Sequence, residues 1–446
     1  MKTHYAKHMM RAIPAAVAVM SCAVAFAADG PGEDAEGTGT LWPTYNNDYA
    51  AQRFSPLDKI NVKNVASMKE VCTLQLAEGG SLQSGPVIVD GVMYVTTALD
   101  TFAVDAATCK QLWKSSYTPT AYMPFPVNRG VAYHNGALFR GTPDGMLLSL
   151  DAKTGKVLWT NMIADSHYGE VASAAPIAWN GVVYMGVGGG DWGTRGRVMA
   201  YDAISGRELW RFNTIPRGKE VGAETWKNRD SATVGGGGTW TSYTLDVRDG
   251  ELFVSVGNPT EDFLAEKRPG DNLFTNSVVV LNANTGALKW WYQTVKNDPW
   301  DYDLSAPAML YQSKGKVIQD RVAVAGKDGY LHVLDRLSHK VIFKAETTTQ
   351  FKGDTKPTPA GVRACPGLLG GSEWNGPAYD VDRHLIVVGT VDWCWIHKVT
   401  NPEYKRGQLN YGGTTTPEKE ATGWVTAFDA VELAALVLRI GPCGSS

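Results

Sequence analysis

The chain has 446 residues and a formal net charge of -3, from 42 Lys and Arg against 45 Asp and Glu. That balance leaves no basic surplus for nucleic acid and no polybasic patch for a membrane surface. With 48 glycines and 15 tryptophans, it has the composition of many short strands joined by tight turns.

In chain order, the first element is a secretory signal. Lys2, Lys7 and Arg11 precede an apolar run, and Ala25-Phe26-Ala27 offers a small-x-small cleavage site, so residues 1–27 read as signal peptide. The run is too short for a stable membrane span, and no second apolar stretch appears. The reading is export to the periplasm. Five cysteines follow the signal. An oxidising compartment permits disulfides. Cys72 with Cys109 and Cys365 with Cys394 are candidate pairs, and sequence alone leaves the connectivity open. There is no C-x-x-C-H, so no covalent haem; Cys394-Trp-Ile-His397 reads as structural.

A polar lead-in, LWPTYNNDYAAQRFSPLDKINVKNV, reads as a segment that wraps the fold. Then a pattern recurs. TFAVDAATCKQLW, LLSLDAKTGKVLW, VMAYDAISGRELW, VVVLNANTGALKW and LHVLDRLSHKVIF end at Trp113, Trp159, Trp210, Trp290 and Phe343. Asp105, Asp151, Asp202, Asn282 and Asp335 each stand eight residues before the aromatic. Each copy is strand, tight turn, strand, and another strand pair lies upstream of most copies. Four-stranded repeats of this length imply an all-β propeller, here with about six blades over residues 28–430. The interval from 202 to 282 is the longest and carries an insertion with Gly235 to Gly238 and Asn258. Insertions of this kind map to one face, often the binding face. A sixth copy starts with GWVTAFDA and breaks after Ala430. Val437 stands where the aromatic belongs, and residues 431–446 read as an aberrant tail from truncation or frameshift. An incomplete ring would leave exposed edges, so an unstable or inactive chain is the expectation unless another segment completes it.

The stretch Asn297 to Asp303, NDPWDYD, packs Asp298, Asp301 and Asp303 around Trp300. Carboxylates this dense need a cation or solvent between them. The aromatics among them argue against a plain solvated loop. They suit a metal-assisted oxidation site with one carboxylate as proton acceptor.

Together with NDPWDYD, the segments NRGVAY, GGGDWGTRG, GGGGTW, SVGNP and RPGDN, in that order, resemble the quinoprotein alcohol dehydrogenases. These are eight-bladed propellers that hold pyrroloquinoline quinone (PQQ) on the axis. The resemblance covers about residues 40–430. It implies that Trp240 stacks on the cofactor, that Gly188, Gly189 and Gly190 lie along it, and that Arg129, Ser173 and Lys327 bind its oxygens. It places Asp191, Asn258 and Asp301 on calcium and makes Asp301 the catalytic base. Asp303 matches an extra ligand that some members use for a lanthanide. The chain departs from the alcohol-specific pattern at Gln83, where a glutamate is common against the cofactor. It departs again at Met123-Pro124, where two adjacent cysteines are common, and at Glu373, where an asparagine is common. These departures point to bulkier or secondary alcohols and polyols. Without a haem motif, electrons would leave to a separate soluble cytochrome c. Two other readings stand beside this one. WDYDLSAP with Lys327 also resembles PQQ-dependent sugar dehydrogenases. Propellers of the outer-membrane-assembly type share the blade repeat without a cofactor.

Overall fold

The structure, a computed structural model, describes residues 41–77, 80–352 and 356–436. The signal-like stretch 1–27 and the chain after Leu436 lie outside the described residues. Among the described residues no helix is long and apolar enough to cross a membrane.

The five repeats become five four-stranded antiparallel sheets, at 87–116, 132–162, 177–213, 244–293 and 309–346. A sixth, Ala378–Asp380, Leu385–Asp392, Thr422–Asp429 and Ala435–Leu436, completes six blades. The third strand of a blade is apolar on both faces because another blade packs on each side. Thus Ser277–Asn282 (SVVVLN) is buried at all but its last residue. The fourth strand lies outermost and alternates, as Val157–Met162 does. The cores are accordingly interfaces between blades. One cluster joins the second, third and fourth blades around Tyr184, Met199 and Val254, and another joins the fifth and sixth around Tyr311, Val333 and Phe428.

The Asp-to-aromatic spacing has a mechanical reason. The Asp carboxylate, or the Asn282 amide oxygen, accepts N–H groups of its own turn, as Asp151 does from Thr154 at 2.8 Å. The aromatic eight residues on reaches the same turn of the next blade. Trp113, Trp159 and Trp210 donate to the carbonyls of Ala152, Ala203 and Ala283 at 3.1, 3.0 and 2.9 Å. Their rings cover Gly155, Gly206 and Gly286, where an added Cβ would sit within 2.8 Å of the indole. In the fifth blade His339 replaces the glycine and stacks on Trp290 at 4.4 Å. In the sixth, Leu433 takes the position at φ +54.

The expected break after Ala430 is softer than the sequence suggests. Asp429 still accepts the N–H groups of Val431 and Glu432, and Ala435–Leu436 still pairs with Thr422–Asp429.

Two features lie outside the repeat. The lead-in crosses the inner strands as a strap. Trp42 pairs with Ile88, the Tyr49 hydroxyl donates to Ala178 O at 2.6 Å, and the carbonyls of Tyr49, Ala50 and Gln52 accept Leu245, Leu310 and Tyr379 N–H. It touches five of the six blades. The sixth blade is also interrupted. Its two long strands are joined through a separate sheet of Phe351–Lys352, Val362–Cys365, Trp395–Val399 and Gly413–Pro417, which the repeat did not reveal. The disulfide Cys365–Cys394 ties that sheet to the start of its third strand, and Cys72–Cys109 ties the segment ahead of the first blade to that blade, so both candidate pairs are formed.

Candidate functional site

Two kinds of loop open at the same end of every blade: the loop leading into the innermost strand, and the loop between the second and third strands. The expected site residues lie on these loops. Gln83, Arg129, Ser173, Trp240 and Glu373 precede the inner strands Val87–Val89, Ala132–His134, Ile177–Trp179, Thr244–Asp246 and Ala378–Asp380 by three to five residues. Asp301 and Asp303 precede Met309–Lys314. Gly188 to Asp191, Asn258 and Lys327 follow the second strands Val182–Gly186, Glu251–Ser255 and Ile318–Ala325. Repetition around the ring therefore brings residues far apart in sequence to one end of the axis.

Arg129 is buried beside Trp240. One guanidinium nitrogen donates to Ser173 Oγ and to Trp240 O, both at 3.1 Å. Its guanidinium carbon lies 4.5 Å from the Trp240 ring centre and 5.4 Å from that of Trp374. Its Nε has no partner. Burial pulls its pKa down to about 10, against the pull of Tyr45, Glu373 and Asp303. Gly188 faces the same indole; a Cβ there would come 3.0 Å from Trp240 Cβ and 3.3 Å from Ser173 Oγ. Gly189 holds φ +92, and its Cβ would strike the Gly169 carbonyl at 2.0 Å, so only glycine suits it. A Cβ on Gly190 would sit at ordinary contact distance, 3.6 Å from Gly238 N and 3.9 Å from Asn258 Oδ1. Gln83 stands off, with Nε2 on Ser81 at 3.0 Å, lining a cavity of about 500 Å³ with Tyr45, Arg53 and Trp374.

The acidic stretch divides its labour. Asp298 is structural: it accepts Trp300 N–H, Tyr302 N–H and the Asn276 amide at 2.9, 2.6 and 2.9 Å. Arg268, fully buried, binds the carbonyls of Asp262 and Asp298 and pins this loop to its neighbour. The turn so fixed presents Asp301 at φ +66, a left-handed conformation that a non-glycine residue holds only when its surroundings impose it. Lys327 Nζ lies 3.2 Å from Asp301 Oδ2 and 2.7 Å from Asp303 Oδ2. Burial alone would lower the Lys327 pKa, but Asp301, Asp303 and Glu373 together raise it well above the ordinary value.

The expected cation ligands are only partly brought together. Carboxylate oxygens of Asp191, Asp301 and Asp262 lie within 4.8 Å of one another. Asn258 joins them through Nδ2, 3.2 Å from Asp191 Oδ1. Asp303 is placed otherwise: its Oδ1 accepts Asn258 N–H at 2.9 Å and its Oδ2 pairs with Lys327. Asp262 is the residue that the sequence reading missed. Its one signal was an acid four residues beyond Asn258, in the same loop. Burial, then the neighbouring carboxylates, raises Asp262 well above the ordinary range and Asp191 to about 6. Burial also raises Asp301, with Lys327 opposing. Like charges in a dry site carry this cost until a cation screens them. Over the group lies the loop between the inserted strands: Gly407 and Asn410 N–H bond to Trp192 O and Asp191 O, and Tyr411 O accepts Phe263 N–H.

The donor set fits a hard cation, since the three converging ligand atoms are all carboxylate oxygens. The unpartnered Arg129 Nε, beside an indole face and a glycine run, fits a flat, acidic cofactor.

Residues 42–357 match the sequence profile of the PQQ family described as glucose/ethanol/alcohol dehydrogenase, β-propeller domain. The chain is 32 % identical to the quinoprotein alcohol dehydrogenase PedH of Pseudomonas putida, over 85 % of this chain and 71 % of that one. It is 34 % identical to the quinohemoprotein alcohol dehydrogenase ADH IIB of Pseudomonas putida, over 89 % of this chain and 63 % of that one, so it spans less than two thirds of that relative. A europium-containing methanol dehydrogenase superposes with a TM-score of 0.81 at 26 % identity, over 92 % of this chain and 79 % of that one. With the propeller, the loop-built site and this similarity in agreement, the chain belongs to the PQQ-dependent alcohol dehydrogenase family.

Proposed function

We propose that this chain is an exported, periplasmic quinoprotein dehydrogenase that oxidises an alcohol or polyol to the aldehyde or ketone. In this reading electrons leave to a separate soluble cytochrome c. The observation that carries it is the meeting of Asp191, Asp262 and Asp301 oxygens within 4.8 Å, at the blade end that also holds Arg129 and Trp240. When bound, PQQ supplies the two-electron acceptor and a calcium or lanthanide ion the positive charge that polarises its reactive carbonyl.

The chain's own residues do the rest. Arg129 anchors a cofactor carboxylate through its free Nε, and Ser173 Oγ holds the guanidinium in place. Trp240 provides the stacking face and Gly188 to Gly190 leave room along it. Gln83 and Glu373, each with an unpartnered buried oxygen, offer hydrogen-bond acceptors at the cofactor's rim. Asp301 takes the substrate hydroxyl proton on its carboxylate, and Lys327 holds that carboxylate in place. The loop 400–412 and the buried Trp300 limit the access of water.

Reconstitution with PQQ and either Ca2+ or La3+ tests the reading, with quinone absorbance and dye-linked alcohol oxidation as readouts. Wild type should bind the quinone and turn over. Asp301→Asn should keep quinone binding and lose at least ~100-fold in kcat, the scale of a lost general base. A wild type that binds no quinone, or an Asp301→Asn variant that turns over normally, would overturn it.

A further inference from the structure

We infer that Asp262 is a direct ligand of the cation, and that its carboxylate, rather than that of Asp303, gives the site its preference for a trivalent over a divalent ion. The inference rests on the cation site proposed above and deepens it.

Asp262 is fully buried, and neither of its carboxylate oxygens has a hydrogen-bond partner. A buried carboxylate with nothing to balance it is among the costliest features a protein can keep. The nearest buried cation does not balance it. Arg268 directs its nitrogens to the carbonyls of Glu261, Asp262 and Asp298 and to the Asn272 side chain, and none to the Asp262 carboxylate. The Asp262 oxygen faces those of Asp191 and Asp301 instead. Asp303 is the reverse case. One of its oxygens accepts a backbone N–H and the other pairs with Lys327, so each oxygen already has a partner and its charge is balanced. Three carboxylates therefore converge on one point, and Lys327 is shared between one of them and Asp303. A triply charged ion matches that group best, and its oxygen-only donors suit a hard cation.

The test titrates the full chain, with and without PQQ, with Tb3+ and Ca2+. The readouts are Tb3+ luminescence sensitised by nearby indoles, water counting from lifetimes in H2O and D2O, and thermal melting. Wild type should bind Tb3+ at least ~10-fold more tightly than Ca2+. Asp262→Asn should weaken Tb3+ by ~10–100-fold, the range seen when a metal's supporting groups are lost, and admit one more bound water. Asp262→Glu should recover part of the affinity. Without any cation, Asp262→Asn should melt higher than wild type, since the crowding of three buried carboxyl groups within 4.8 Å is relieved. A merely structural aspartate would give the opposite sign. If Asp262→Asn binds Tb3+ within about twofold of wild type, or the ion-free variant melts lower, Asp262 is not a ligand. If wild type itself binds neither ion, the cation site fails and this inference with it.

Discussion

His397 supports the site without taking part in its chemistry. It lies on an inserted strand, fully buried, with its ring edge-on to Trp300 at 5.4 Å and to Phe263 at 5.2 Å. Burial pushes its pKa down from 6.5 to about 4, only partly offset by the nearby Trp395 backbone. The folded chain thus refuses a proton that the unfolded chain accepts. The His397 contribution to stability is present above pH 6.5 and is lost as pH falls toward 4, by on the order of 3 kcal/mol. Melting temperature should therefore drop between pH 7 and pH 4.5, and His397→Phe should remove a few degrees of that drop. An unchanged drop in the variant would show that His397 is not its source. The consequence reaches Trp300 and so the turn that presents Asp301. At this scale legibility follows local pattern. Asp301, Asp191 and Asn258 stood in recognisable segments. Asp262 stood in TEDF, a string with no periodicity, and its meaning comes from a fold that sets it against two loops from other blades. The role of Asp303 was equally hidden, because its partner Lys327 lies 24 residues on, in another loop.

At the scale of the element, the docking of each aromatic on the next turn is the joint that repeats. Gly206 sits at φ +70 beneath Trp159, where an added Cβ would meet the indole at 2.8 Å. Gly206→Ala should lower stability by about 2–4 kcal/mol, from the left-handed backbone and the crowded ring together. Chemical denaturation of the purified protein would measure it, and a loss under about 0.5 kcal/mol would count against the joint. These turns were readable because five copies keep one spacing. The inserted sheet was not, because it interrupts the sixth blade. Its strands take their partners from distant segments, as Val362–Cys365 does from Trp395–Val399, and no turn signature marks the excursion. That sheet nevertheless delivers the loop 400–412 to the acidic group, so an unreadable element shapes the readable site.

At the scale of the whole molecule, each blade touches mainly its neighbours, and the strap is the segment that spans them. Tyr49 is 8 % exposed, within the largest core cluster, and its hydroxyl reaches Ala178 O. Tyr49→Ala should cost about 3–5 kcal/mol, the range for deleting a buried aromatic. Because the strap contacts several blades, the loss should appear as one cooperative shift of the melting curve rather than as the early melting of one blade. Two separate transitions would contradict this.

The strap also imposes an order of events on synthesis. Residues 41–53 are made before any blade, yet Gln52 donates to Leu310 O, 258 residues further on. At ~5–20 residues per second, the segment waits on the order of 13–50 s for that partner to be made. During that time its tyrosines and the inner strand edges have no final place. Blades can close locally as they appear, but the strap's bonds to the fifth and sixth blades form only once those late segments exist. A delay between making the strap and seating it is therefore built into the order of the chain.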